Sequence, residues 1–144
     1  MLKVELDAAP PIRDEQGLRV SFPLHSAVGT ASTATVWMTL EPGAELAEHR
    51  DSAEELLYAV EGTVEASVGE ETGELRAGEI ALIPAMAPHS LRNVGSTTAR
   101  VLGFFSSSTN IATFTEPMGP GGPQVVAIGG PVPLASPLEA PVLA

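Results

Sequence analysis

Short runs of alternating apolar and polar residues, cut by glycine and proline, follow one another along this chain. In residues 33–40, Ala34, Val36, Met38 and Leu40 take every second position, the period of a half-buried strand. Pro42-Gly43 reads as a turn, and residues 45–51 as an extended segment. Residues 55–61 read as a strong strand with Glu55, Leu57 and Ala59 on one face, and Glu61-Gly62-Thr63 turns it into a strand over 63–68. Residues 69–73 read as a hairpin loop. Ala77-Gly78 leads into an apolar strand over 79–83, and Pro84 ends it because proline donates nothing to a ladder. Strands over 89–94 and 100–106 complete the set, with Asn93, Gly95 and Ser96 marking the turn between them, and residues 17–25 form a first strand. No segment carries a sustained helical stripe. Short runs at regular spacing between turn signals predict an all-β sandwich or barrel.

The chain divides into an N-terminal segment with its strand or strands (1–32), a barrel (33–115) and a proline- and glycine-rich tail (116–144). Only Gln124 to Ile128 in that tail reads as a strand, and the rest is too poor in packing residues for a second domain. At 144 residues the chain suits a single domain whose core needs no covalent staple. It has no cysteine, which excludes disulfides, thiolate nucleophiles and cysteine-bound zinc. Eighteen acidic residues against seven basic ones give a net charge of −11, which repels nucleic acid and anionic membrane surfaces and favours cations. The opening MLKVELDAAP lacks the apolar core of a signal peptide, and the stretch Ile80 to Pro88 is too short to span a bilayer. A soluble, cytoplasmic protein is expected. A homodimer is expected too, because outward apolar residues of the first strands and the tail would otherwise be wet.

Candidate chemistry centres on few residues. Histidine occurs only as His25, His49 and His89. His49 and Asp51 are two apart and so share a strand face. Glu55 sits on an otherwise apolar side, a costly place for an unpaired charge. His89 follows a proline and opens another strand beside apolar neighbours. Two imidazoles and two carboxylates converging inside a barrel would satisfy one another through a cation. His25 is expected at the surface or an interface. Trp37, Tyr58, Phe104 and Phe105 read as core or interface aromatics, Asn93 and Gly62 as turn residues, and Glu48, Glu70 and Glu71 as solvated charges. Glu54 lies on the strand face opposite Glu55.

Gly43, five residues, His49, Arg50, Asp51, three residues, Glu55, six residues and Gly62 form one spaced motif. Gly78, five residues, Pro84, Ala85, Met86, two residues, His89, three residues and Asn93 form another. Together these resemble the two motifs of the cupin family, matching eight of ten fixed positions. The resemblance implies a single-domain cupin, a jelly-roll or double-stranded β-helix barrel, with a metal inside its mouth. It also implies His49, Glu55 and His89 as ligands. Asp51 stands where the family has a second histidine. It is then a direct ligand, a ligand through water, or the acceptor for an N–H in the turn 51–54. Met86 stands where the family has a turn glycine, so the loop 84–88 is expected to take a different path and to line the pocket.

Two histidines and a carboxylate suit Fe(II), and the oxygen content suits Mn(II), with Zn(II) or Ni(II) able to occupy the same donors. The expected partner is a small-molecule substrate or ligand. The first expectation is an Fe/Mn-dependent dioxygenase-like enzyme of quercetinase-like type, with Glu55 as the candidate catalytic residue. A non-catalytic ligand- or metal-binding cupin is the second. The third is an isomerase-like cupin that uses a histidine and a carboxylate as acid and base.

Overall fold

The alternation at Ala34–Leu40 becomes one of thirteen short strands among the described residues of a computed structural model. The structure describes residues 1–130 and the backbone of Val142–Leu143. The strands are β1 (Ile12–Arg13), β2 (Leu18–Ser21), β3 (Ala34–Leu40), β4 (Glu45–Asp51), β5 (Glu55–Glu61), β6 (Thr63–Val68) and β7 (Glu71–Arg76). Then follow β8 (Ile80–Ile83), β9 (His89–Arg92), β10 (Ala99–Phe105), β11 (Asn110–Phe114), β12 (Val125–Ile128) and β13 (Val142–Leu143). Among the described residues the only helical turns are the 3-10 pieces Leu6–Ala8 and Ser26–Val28.

Two sheets form, in the orders β1-β2-β3-β10-β5-β8 and β13-β12-β11-β4-β9-β6-β7. Every pairing is antiparallel except β12 with β13. From β3 to β11 the chain changes sheet at each connection save the β6–β7 hairpin, which winds it into an all-β jelly roll. Met38, Leu40, Leu57, Ile83 and Val101 of one sheet meet Val64, Leu75, Leu91, Ala112 and Phe114 of the other in the core. Each fully buried leucine or isoleucine there contributes about 1.5–3 kcal/mol relative to exposure.

Four sequence expectations are corrected. The loop expected at 69–73 is a tight turn at Gly69-Glu70, and Glu71 to Gly73 already pair with β6. Their side chains are exposed, so no apolar alternation announces the strand. The first strand ends at Ser21, because Phe22-Pro23 breaks the ladder. His25, expected at the surface or an interface, is fully buried. Its Nδ1 accepts from Ala27 N–H at 3.3 Å and its carbonyl accepts from Val28, Gly29 and Thr30, so it organises the 3-10 turn after β2. Finally, β11 was not anticipated. Its polar approach Ser106 to Thr109 reads as loop, yet Asn110, Ala112 and Phe114 turn inward while Ile111 and Thr113 face out.

Asn93 does more than occupy a turn. Its Nδ2 donates to the carbonyls of Leu40 (2.9 Å) and Thr97 (2.8 Å), and its Oδ1 accepts from Gly95 N–H, which ties the β9–β10 connection to β3. Gly62 has φ 73, and a Cβ there would lie 2.7 Å from the Thr98 carbonyl oxygen. Glycine is therefore required both for conformation and for space.

Candidate metal centre

A bulge prepares the site. Leu46 pairs with Leu91 and His49 with His89, so β4 spends three residues where β9 spends two. In a regular strand Leu46 and His49 would face opposite sides. The extra residue at Ala47-Glu48 turns both inward, and Asp51 follows His49 on the same face. His89, at the start of β9, stands directly across from His49. Glu55 arrives from the facing sheet, where it pairs with Phe105 and Ile83. His49, Asp51, Glu55 and His89 are all buried.

Both imidazoles are held the same way. His49 Nδ1 donates to the Ala47 carbonyl (2.8 Å) and His89 Nδ1 to the Ala87 carbonyl (2.9 Å). A carbonyl only accepts, so each Nδ1 carries a proton and each ring turns its Nε2 to the interior. His49 Nε2 lies 3.4 Å and His89 Nε2 3.1 Å from Asp51 Oδ2. One ligand atom from each of His49, Asp51 and His89 falls within 4.8 Å of the others. Asp51 Oδ2 and His89 Nε2, both buried, make no hydrogen bond among the described residues. Three donor atoms converge here, and a divalent cation would satisfy all of them. The residues fit a metal by donor type, distance and orphaned atoms.

The charges lead to the same conclusion. Burial alone would raise the Asp51 carboxyl, but the adjacent His49 and His89, with Asn110, hold it well below the usual carboxylate range. Burial raises Glu55 and the Asp51 charge adds to this, against the opposing pull of His89. Burial would lower His89, yet Asp51 and Glu55 beside it push it up to about 10. Without a metal these carboxylates favour a proton on His89, in the place where a bound metal would supply positive charge.

Glu55 stands at the edge of this triad. Its Oε1 is 3.4 Å from His89 Nε2. Its Oε2 lies against Gly103 of β10, where a Cβ would approach it to 2.5 Å. Asp51, by contrast, stands inside the triad. It does not cap the turn after β4, since the Ala53 N–H goes to Asn110 Oδ1 (3.1 Å). Met86 also departs from expectation. It adopts φ 65, the left-handed conformation a glycine would take, so the chain keeps the family-like turn at a cost of about 1–2 kcal/mol. Its N–H donates to the Asp51 carbonyl (2.8 Å) and its carbonyl accepts from Arg50 Nη1 (2.8 Å), while its side chain is exposed.

Three residues around the site escaped the sequence reading. Phe114 pairs across from His49 and stacks on its ring at 4.9 Å. Asn110 Nδ2 donates to Asp51 Oδ1 at 2.8 Å. Gly103 makes room for Glu55. A lone glycine inside a strand pattern was an available signal for Gly103. For Asn110 and Phe114 the signal was the alternation of 110–114 behind its polar approach.

Residues 36–105 match the family model of the cupin domain. The chain is 37% identical over 76 residues to a protein of Streptomyces cyaneus described as polyketide synthase CurC, an alignment covering 52% of this chain. The matched region spans about half of that relative, 49% of its length. Among solved structures, an oxalate oxidase in complex with glycolate superposes with a TM-score of 0.67 at 23% identity, over 74% of this chain and 59% of the other. The Lactobacillus farciminis oxalate decarboxylase gives 0.65 at 24%, over 71% and 32%. The polyketide cyclase RemF of Streptomyces resistomycificus gives 0.62 at 18%, over 73% and 78%. At these identities the structural likeness speaks for the fold.

Proposed function

We propose, from the premise that residues 36–105 of this chain are a cupin domain, that the barrel is a divalent-metal enzyme acting on a small oxygen-rich molecule. The observation that carries this is the convergence of His49, Asp51 and His89, two imidazoles and one carboxylate, within 4.8 Å inside the barrel. That donor set favours Fe(II) or Mn(II), with Zn(II) or Ni(II) able to bind. A metal held there would supply Lewis acidity toward substrate oxygens.

The protein's own groups do the rest. Ala47 and Ala87 orient the two histidine rings, and Phe114 stacks on the ring of His49. Glu55, its carboxyl pushed up by burial, contacts His89 at the edge of the triad, at 3.4 Å. The first reaction class is dioxygenase-like. Loading the protein with Fe(II) or Mn(II) and offering catechols, flavonols and β-diketones should give oxygen consumption matched to substrate loss. The contact of Glu55 with His89 favours a second reading, acid–base isomerisation without oxygen. Substrate loss under anaerobic conditions would select that reading over the first. A cytoplasmic setting is part of the proposal. No helix among the described residues is long and apolar enough to cross a membrane.

The working unit is proposed to be a homodimer. On the outer face of the first sheet, Phe104, Leu56 and Leu82 stand in one cross-strand row and Leu102, Tyr58 and Ile80 in the next. Leu82 and Ile80 are 57% and 60% exposed, at the edge strand β8. The neighbouring Trp37 is covered, with its Nε1 donating to Asp7 Oδ1 at 2.8 Å. An apolar patch on this outer face, on a chain of net charge −11, suits a second copy of itself. Leu82→Glu is expected to shift the protein from dimer to monomer in light scattering at micromolar concentration, with an unchanged melting temperature. A monomeric wild type under the same conditions would contradict this.

A further inference from the structure

We propose that Asn110 is the positioning residue that makes Asp51 a single-oxygen ligand, an inference that rests on the metal centre proposed above. Asn110 opens β11 and is 1% exposed. Its Oδ1 accepts from the Ala53 N–H (3.1 Å) and from Ser52 Oγ (3.3 Å). A backbone N–H can only donate, so the oxygen of the amide must face Ala53 and the nitrogen must face Asp51. That nitrogen donates to Asp51 Oδ1 at 2.8 Å. Asp51 then has one oxygen engaged with protein and the other, Oδ2, turned between His49 and His89.

One side chain therefore performs two tasks. It holds the turn that carries the chain from β4 to Glu55 on the facing sheet, a turn also fastened by Ser52 N–H to the Ile111 carbonyl and by Ile111 N–H to Ser52 Oγ. It also restrains the rotation of the Asp51 carboxylate, so that Oδ1 cannot swing in to make the carboxylate bidentate. A one-oxygen carboxylate leaves one more coordination position for substrate than a bidentate one. Groups in this relation to a metal ligand orient it, and their loss commonly weakens metal binding by about 10–100-fold.

The test uses Mn(II) alone, titrated into chelator-treated full-length protein, with free Mn(II) read by electron paramagnetic resonance. Asn110→Asp keeps an oxygen for Ala53 and replaces the donor to Asp51 by a second carboxylate oxygen. It is expected to lower Mn(II) affinity by about 10–100-fold. Asn110→Ala is measured beside it, so failure of one variant to fold leaves the other. In an Asp51→Ala background Asn110→Asp should cost no further affinity, because it acts through Asp51. Wild-type affinity in the folded Asn110 variants, where Asp51→Ala has lost it, would overturn the positioning role alone. A fall of equal size with and without Asp51 would also overturn it. Wild-type affinity in Asp51→Ala would instead overturn the centre on which the inference rests.

Discussion

His89→Ala is expected to lower divalent-metal affinity by more than about 100-fold, or about 2.8 kcal/mol at 1.4 kcal/mol per tenfold. His89 Nε2 is the donor closest to Asp51 Oδ2, at 3.1 Å, and its ring is already turned inward by the Ala87 carbonyl. Removing it takes away one of two nitrogen donors and leaves Asp51 and Glu55 buried together without their shared partner. His49→Ala should match it, since His49 presents the same atom from the opposite strand. Asp51→Ala should be comparable, because it removes the anion around which both imidazoles gather. Glu55→Gln, lying beside the triad, should change affinity by less than about tenfold. Asp51→His, which restores the family's residue, should move preference from Mn(II) toward nitrogen-loving Ni(II). Competition titrations of Mn(II) against Ni(II) check the series. A His89→Ala protein that keeps wild-type affinity would remove His89 from the centre.

Gly103→Ala is the second large effect. A Cβ at this position would lie 2.5 Å from Glu55 Oε2 and 2.5 Å from Val36 Cγ1. Neither neighbour can yield cheaply, since both are buried and Val36 sits in the core. Overpacking of this kind costs about 1–3 kcal/mol, which for a chain of this size lowers the melting temperature by roughly 2–12 °C. Gly73→Ala is the control, because a Cβ there meets nothing within 4 Å. Thermal melts within a degree of wild type for both variants would show that the Glu55 pocket is looser than the structure has it.

These two cases also mark where the sequence is legible and where it is not. Alternation at Ala34–Leu40 and the face shared by Glu55, Leu57 and Ala59 appear in the structure as the inward sides of β3 and β5. Spacing alone, however, puts Leu46 and His49 on opposite faces. Only the bulge at Ala47-Glu48 brings both inside, and those two residues carry no local signal for it. The polar approach Ser106 to Thr109 concealed β11, and with it the partner of Asp51 and the ring behind His49. The pairing of Asp51 rather than Glu55 with both imidazoles follows from which sheet each strand joins, a long-range outcome that no short window contains.

The central claim is a metal held by His49, Asp51 and His89. X-ray absorption at the metal edge, with elemental analysis on the same sample, tests it most directly. The sample is full-length protein purified without added metal and then loaded with Fe(II) or Mn(II). The account predicts about one bound ion per chain, with imidazole nitrogen and oxygen as the only neighbours, and loss of the imidazole signal in the His49→Ala, His89→Ala double variant. A loaded protein that holds no ion, or an ion whose surroundings are unchanged in that double variant, would contradict it.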